Sequence, residues 1–165
     1  MTDELWLRRK LTLRAGSRQV VLVKHANERT AHVVMKALIW ALYLPQYPQA
    51  DIERPIGDRY KPDVVMLNDQ GQPVFWGEAG HVSPDKIRSL GKRFRETHLA
   101  VAKWGQNLRP HLAVLEKALA GIRRTAPLDL LAFPEESASR FIDDDGRIHI
   151  AHDQIEWIRL PGSST

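Results

Sequence analysis

The chain contains no cysteine among its 165 residues, which excludes a disulfide scaffold and any zinc site built on thiolates. It also lacks a long apolar run. The longest, Val33 to Leu44, is interrupted by Lys36 and falls short of the roughly 20 apolar residues that span a bilayer. The opening Met1-Thr2-Asp3-Glu4 is acidic and has none of the basic-then-apolar layout of a signal peptide. These absences predict a cytoplasmic protein with no membrane-spanning element. There is no internal repeat, no Gly-x-Ser-x-Gly elbow, no P-loop and no Gly-x-Gly-x-x-Gly. The seven histidines show no metal-ligand spacing, and His149 and His152 read as surface residues.

What is present is a hydrophobic fraction of 43%, enough for the core of one domain over residues 1–165. The net charge of +4 is unevenly spread. Between Lys86 and Arg124 ten basic residues face only Glu96 and Glu116, so that segment carries +8. Such asymmetry suits a polyanionic partner; it is also what the solvated faces of two helices look like.

Strands are predicted at Leu5–Arg8 and Leu11–Leu13, and at Gln19–Val23 after a turn at Ala15-Gly16-Ser17. A helix follows from Asn27, a candidate N-cap, to Leu44, with Ala31, Val34, Met35, Leu38, Ile39 and Leu42 as its inward stripe. Then come a strand at Ile52–Ile56, a hairpin of Asp63–Leu67 and Val74–Glu78, and a helix with Ser83 as N-cap and Pro84 at its first position. A strand at His98–Lys103, a helix at Asn107–Arg123 and a strand at Leu128–Phe133 complete the middle. The end reads as a hairpin, Arg140–Ile142 with Arg147–Ile150 about Asp145-Gly146, and a strand Ile155–Leu160. Trp40, Trp76 and Trp104 fall on apolar stripes, while Trp6 and Trp157 lie in terminal strands. The alternation predicts an α/β (α+β) fold with a mixed sheet flanked by helices.

The central hairpin carries the candidate chemistry. A four-residue loop, Asp69–Gln72, pairs Leu67 with Val74, and continuing that register sets Asp63 opposite Glu78. Opposed residues of antiparallel strands share a sheet face, with Cβ atoms roughly 5 Å apart. Two carboxylates at the rim of an apolar sheet repel each other, and a cation such as Mg²⁺, which accepts one or two carboxylates plus waters, relieves the conflict. Glu28 borders the buried stripe of the first helix, where it also suits the helix dipole. Lys86, the third helical residue after Ser83, can reach back to Glu78. His81 reads as a loop residue between them.

The order of a helix Glu, Pro62-Asp63 on a strand and Glu78-Ala79-Gly80 after an apolar strand resembles the PD-(D/E)XK nuclease superfamily. More narrowly, His25-Ala26-Asn27-Glu28, Phe75-Trp76-Gly77-Glu78-Ala79-Gly80 and Ser83-Pro84-Asp85-Lys86-Ile87-Arg88 are similar to segments of the bacterial YaeQ family, which is assigned to that superfamily. The resemblance implies a restriction-endonuclease-like αβββαβ core. It implies metal-dependent phosphodiester hydrolysis, with Asp63, Glu78 and the Ala79 carbonyl holding Mg²⁺ (or Mn²⁺) and Glu28 ligating through water or a second ion. The superfamily's lysine belongs two residues after the second acid, where this chain has Gly80, so Lys86 would supply the cation from a migrated position. Arg88, Lys92, Arg93 and Arg95 would carry the nucleic-acid backbone, with little sequence specificity. A non-catalytic module binding nucleic acid or a protein partner is the alternative.

Overall fold

Strands β1 (Lys10–Ala15) and β2 (Arg18–Val23) pair as an antiparallel hairpin, Ala15 facing Arg18 across the expected turn. The structure, a computed structural model, describes residues 10–25 and 27–163. The strand expected at Leu5–Arg8 with its Trp6, the acidic start, Ala26 of the first motif, and Ser164 and Thr165 lie outside the described residues. Alternation buries Leu11, Leu13 and Ala15 on one face of β1.

Helix α1 (Thr30–Tyr43) is buried at every residue from Val33 onward, where the sequence pattern predicts a single inward stripe. The reason is that the hairpin covers its outer side, with Leu11, Leu13 and Leu22 in the same core cluster as Val33, Val34 and Leu38. A helix apolar all round belongs inside a fold. The helix also starts three residues later than expected. Asn27 sits in a turn closed by the Glu28 N–H to the His25 carbonyl at 2.9 Å, and Arg29, not Asn27, is the N-cap.

The main sheet has six strands in the order β3 (Asp51–Ile52), β4 (Val64–Leu67), β5 (Pro73–Ala79), β6 (His98–Trp104), β7 (Leu128–Phe133) and β8 (Glu156–Leu160). β5, β6 and β7 run parallel and the other neighbours antiparallel. Helices α2 (Pro84–Arg93) and α3 (Leu108–Ala118) form the crossovers between the parallel strands. They cover one face, where Ile87, Leu90, Leu108 and Leu115 pack with Trp76, Leu99 and Val101. α1 covers the other, against Phe75, Ala100 and Ala102. The result is the mixed sheet flanked by helices that the sequence predicts.

Two features fix α1 over β5. At Gly77 a Cβ would lie 2.8 Å from Ile39 Cγ2, so only a glycine leaves room for the helix. One and two turns back, Met35 and His32 lie over Gly80. The N-terminal end of α1 therefore sits above the C-terminal end of β5.

Other expectations need correction. β3 stops at Ile52 because Glu53 turns the chain with φ +59°, so the strand expected to Ile56 is two residues long. α3 ends at Ala118, short of Arg123, and the chain turns at Gly121 (φ +77°). Val64, Val65 and Met66 keep the expected register with Gly77, Trp76 and Phe75, but a bulge pairs Leu67 with Pro73 instead of Val74. Asn68 causes it: its side-chain oxygen accepts from the Gln70 and Gln72 amides at 3.0 and 2.9 Å, and its own amide donates to the Gln72 carbonyl. That closes the loop one residue tighter. Near the C-terminus, Ser137–Phe141 is a short helix, α4, and not a strand. The expected hairpin shrinks to the bridge Ile142–Ile148, because Gly146 and Ile148 spend their backbone bonds on Arg14 of β1. No helix among the described residues is long and apolar enough to cross a membrane.

Candidate functional site

Asp63 immediately precedes β4, whose pairing with β5 ends at Val64 opposite Gly77, and its amide donates to the Gly77 carbonyl at 3.1 Å. Its Oδ2 accepts the Ala79 amide at 2.8 Å and lies 3.7 Å from His32 Nε2. Burial would raise the Asp63 pKa, but the His32 contact and the Ala79 amide outweigh it and hold the carboxyl below its ordinary range. His32 responds in the opposite sense, raised mainly by Asp63.

Glu78, near the end of β5, is 5% exposed. Its Oε1 accepts the Trp76 indole N–H at 2.8 Å and the Lys86 ammonium at 2.9 Å. Burial and the charge of Asp63 nevertheless raise its pKa. Lys86 reaches Glu78 because Ser83 caps α2 through the Lys86 amide at 3.1 Å, fixing the first turn beside the strand end. The ammonium also lies 5.2 Å from the centre of the Tyr60 ring. Asp63, Glu78, Ala79 and Lys86 thus come together.

Glu28 lies just ahead of α1 and not in its first turn. Its Oε2 accepts from Lys36 Nζ at 2.5 Å and meets His32 Nδ1 at 2.9 Å. Burial alone would raise its pKa, and Lys36 and His32 bring it below the ordinary value. Lys36, 2% exposed, is shared between Glu28 and Glu53. Glu53 in turn donates its amide to the Asp63 carbonyl at 2.9 Å. His32 therefore bridges the two acids, one ring nitrogen toward Glu28 and the other toward Asp63.

Arg88, Lys92, Arg93 and Arg95 are exposed but are not gathered at the carboxylates. Arg88 donates to the Ala118 and Ala120 carbonyls at the end of α3. Arg93 makes a two-pronged pair with Asp58. Arg95 donates to the Lys92 and Arg123 carbonyls. Lys92, Arg93 and Arg95 line a cleft with Pro73 and Val74, at the other end of β5 from Glu78; five residues of strand separate the two by roughly 15 Å.

Beside the carboxylates opens a cavity of about 730 Å³, lined by Glu28, Arg29, His32, Gly80, Lys103 and His111 among others. It lies at the carboxyl ends of the parallel strands β5 and β6, where ligands of α/β sheets commonly bind. Lys103 is 8% exposed, and its ammonium donates to the Gly80 carbonyl at 2.8 Å. Burial lowers its pKa. Trp104, half-buried, also lines this cavity.

His32, Lys36, Glu53 and Lys103 are absent from the sequence-derived site. The spacing of Glu28, His32 and Lys36 at i, i+4 and i+8 is a signal for the first two. A lysine inside the otherwise apolar run Leu99–Trp104 is a signal for Lys103. Glu53 has none, since its position depends on a left-handed backbone turn. His152, expected at the surface, is half-buried with its ring against Tyr43 and Trp157.

No protein-family model matches the sequence, and no curated protein is found similar to it. Solved structures are similar in fold, two YaeQ proteins among them. The YaeQ protein from Pseudomonas syringae superposes with a TM-score of 0.62 at 16% identity, over 94% of this chain and 96% of that one. The YaeQ protein from Xanthomonas axonopodis pv. citri gives a TM-score of 0.58 at 16% identity, over 80% and 76% respectively. The chain has the fold of the YaeQ proteins, as the resemblance in its sequence implies.

Proposed function

We propose that this chain is a metal-dependent phosphodiester hydrolase of the PD-(D/E)XK kind, acting on nucleic acid with little sequence specificity. One observation carries the reading. The Asp63 and Glu78 carboxylates come from adjacent strand ends: Asp63 Oδ2 accepts the amide of Ala79, the residue next to Glu78, at 2.8 Å, and the Lys86 ammonium lies 2.9 Å from Glu78.

Two partly buried like charges favour a cation between them. Among the described residues no group of three or more His, Asp or Glu is disposed to hold a metal. Two carboxylates and one carbonyl are the sparse ligation that Mg²⁺ or Mn²⁺ accept, with waters completing the shell. Asp63, Glu78 and the Ala79 carbonyl would hold the ion, and Glu28, committed to Lys36 and His32, would act only through water. Such an ion lowers the pKa of a bound water and polarises a phosphoryl oxygen. The chain's own residues do the rest. His32 and the Ala79 amide keep Asp63 ionised and oriented, and the Trp76 indole fixes one oxygen of Glu78. Lys86 offsets negative charge where the phosphate reacts.

A second reading, a non-catalytic module for nucleic acid or a protein partner, is favoured by Gly80. Its φ of +87° makes the superfamily's lysine strained at that position. One assay separates the two readings: single- and double-stranded DNA and RNA with Mg²⁺ or Mn²⁺, for the native protein, Asp63→Ala and Glu78→Ala. The hydrolase reading expects cleavage that falls at least 100-fold in both variants. Cleavage undiminished in both marks a contaminant, and its absence from the native protein leaves the binding module.

A further inference from the structure

We propose that the cavity at the ends of β5 and β6 is a phosphate subsite anchored by Lys103, holding the terminal 5′-phosphate of a nucleic-acid strand whose next phosphate lies at Asp63 and Glu78. This inference rests on the hydrolase reading for the class of ligand, and its geometry is separate. The cavity does not include the two carboxylates; it meets them through His32 and Ala79, which line it and touch Asp63.

Three observations support it. First, Lys103 is nine-tenths buried yet, among the described residues, pairs with no carboxylate; its one bond is to the Gly80 carbonyl at 2.8 Å. An ammonium has three donors, and a buried cation without a counter-ion is costly. The buried Lys36 shows the usual remedy in this same fold, two carboxylates at once. For Lys103 the missing anion is most simply a ligand. Second, the charge around the cavity is cationic. Its one carboxylate, Glu28, is already neutralised by Lys36 and His32, which leaves Arg29 and Lys103, with His81 and His111 at the walls. Third, the cavity of about 730 Å³ is large enough for a nucleotide, and Trp104 is among the residues that line it. Burial also destabilises the free ammonium and lowers its pKa, a cost that an incoming phosphate dianion would relieve.

Lys103 so placed does not duplicate Lys86. The latter sits on Glu78 itself, whereas Lys103 lies on the neighbouring strand, against the backbone of the residue where a superfamily lysine would stand.

The test is a binding measurement without metal. Fluorescence anisotropy in EDTA would compare a 3′-labelled deoxytetranucleotide with and without a 5′-phosphate, for the native protein, Lys103→Met and Lys103→Gln. Glutamine keeps a donor for the Gly80 carbonyl and removes only the charge. The native protein should prefer the phosphorylated strand about tenfold or more. Both variants should lose that preference while retaining affinity for the unphosphorylated strand. A native protein that does not discriminate, or a Lys103→Gln variant that still does, overturns the subsite. Inorganic phosphate should displace the phosphorylated strand only at concentrations well above the strand's own Kd; equal potency would assign the cavity to free phosphate and overturn the nucleic-acid source. Because cleavage is not read, failure here leaves the hydrolase reading standing, and failure of the cleavage assay leaves this measurement intact.

Discussion

Glu78 is held at a cost. Burial and Asp63 both push its pKa up, and Lys86 and Trp76 do not fully offset them. A carboxyl whose folded pKa is raised contributes most to stability below its unfolded value, about 4.3, and loses that contribution as pH rises through the folded value. Ionised Glu78 is thus a burden at neutral pH. Glu78→Gln should raise stability at pH 7 by about 0.5–2 kcal/mol, the scale usual for relieving strain at a functional position. The gain should vanish near pH 4, where the native carboxyl is itself protonated. Urea unfolding at both pH values measures this, and a variant less stable than the native protein at pH 7 would count against it. Asp63 behaves oppositely. Its pKa is lowered despite burial, through His32 and the Ala79 amide, so its contribution is present above about 3.9 and fades as pH falls through the folded value.

The seating of α1 on β5 depends on Gly77, where an added methyl would meet Ile39 Cγ2 at 2.8 Å. Gly77→Ala should cost about 1–3 kcal/mol through overpacking, and Ile39→Ala should recover part of it in the double variant. A double-mutant cycle with no coupling would show that the contact does not position the helix. This seating explains which parts of the site were legible in the sequence. The β4–β5 register from Val64 to Met66 follows from strand periodicity and a short loop, and it survives the bulge at Leu67 because the slip lies on the loop side of Met66; Asp63 lies one residue before that ladder, and its own bonds go to Gly77 and Ala79. Ser83 and Pro84 announce their helix start by local chemistry, and the start of α2 is as read. Asn27 offers the same kind of signal and is overridden, because Glu28 is drawn into bonds with His32 and Lys36. The polar cluster of His32, Lys36 and Glu53 needs α1 and β3 brought together, which no local pattern encodes. On the helical face read as a nucleic-acid track, Arg93 and Arg88 take partners distant in sequence, Asp58 and the end of α3, which no local pattern encodes either.

The two layers are tied across the sheet by a buried polar hub. Asp129 on β7, fully buried, accepts the Tyr43 hydroxyl, His98 Nε2 and Arg159 Nε, each at 2.7 Å. Burial would raise its pKa, but His98, Arg159 and Tyr43 hold it well below the carboxylate range. One carboxylate so links α1, β6, β7 and β8. Asp129→Asn should cost about 3–5 kcal/mol, as expected when a buried charge loses its partner, whereas Tyr43→Phe should cost only about 1 kcal/mol. Equal losses by chemical denaturation would mean that the charge itself is unimportant to the hub. Tyr43 is also the last residue of α1, so that helix is clamped at its far end as well as between hairpin and sheet. A rod enclosed on all sides cannot swivel without disrupting the packing above and below it at once. Any molecule that enters beside His32 meets Arg29 and His81 at the cavity wall, next to a helix that packing holds from both sides.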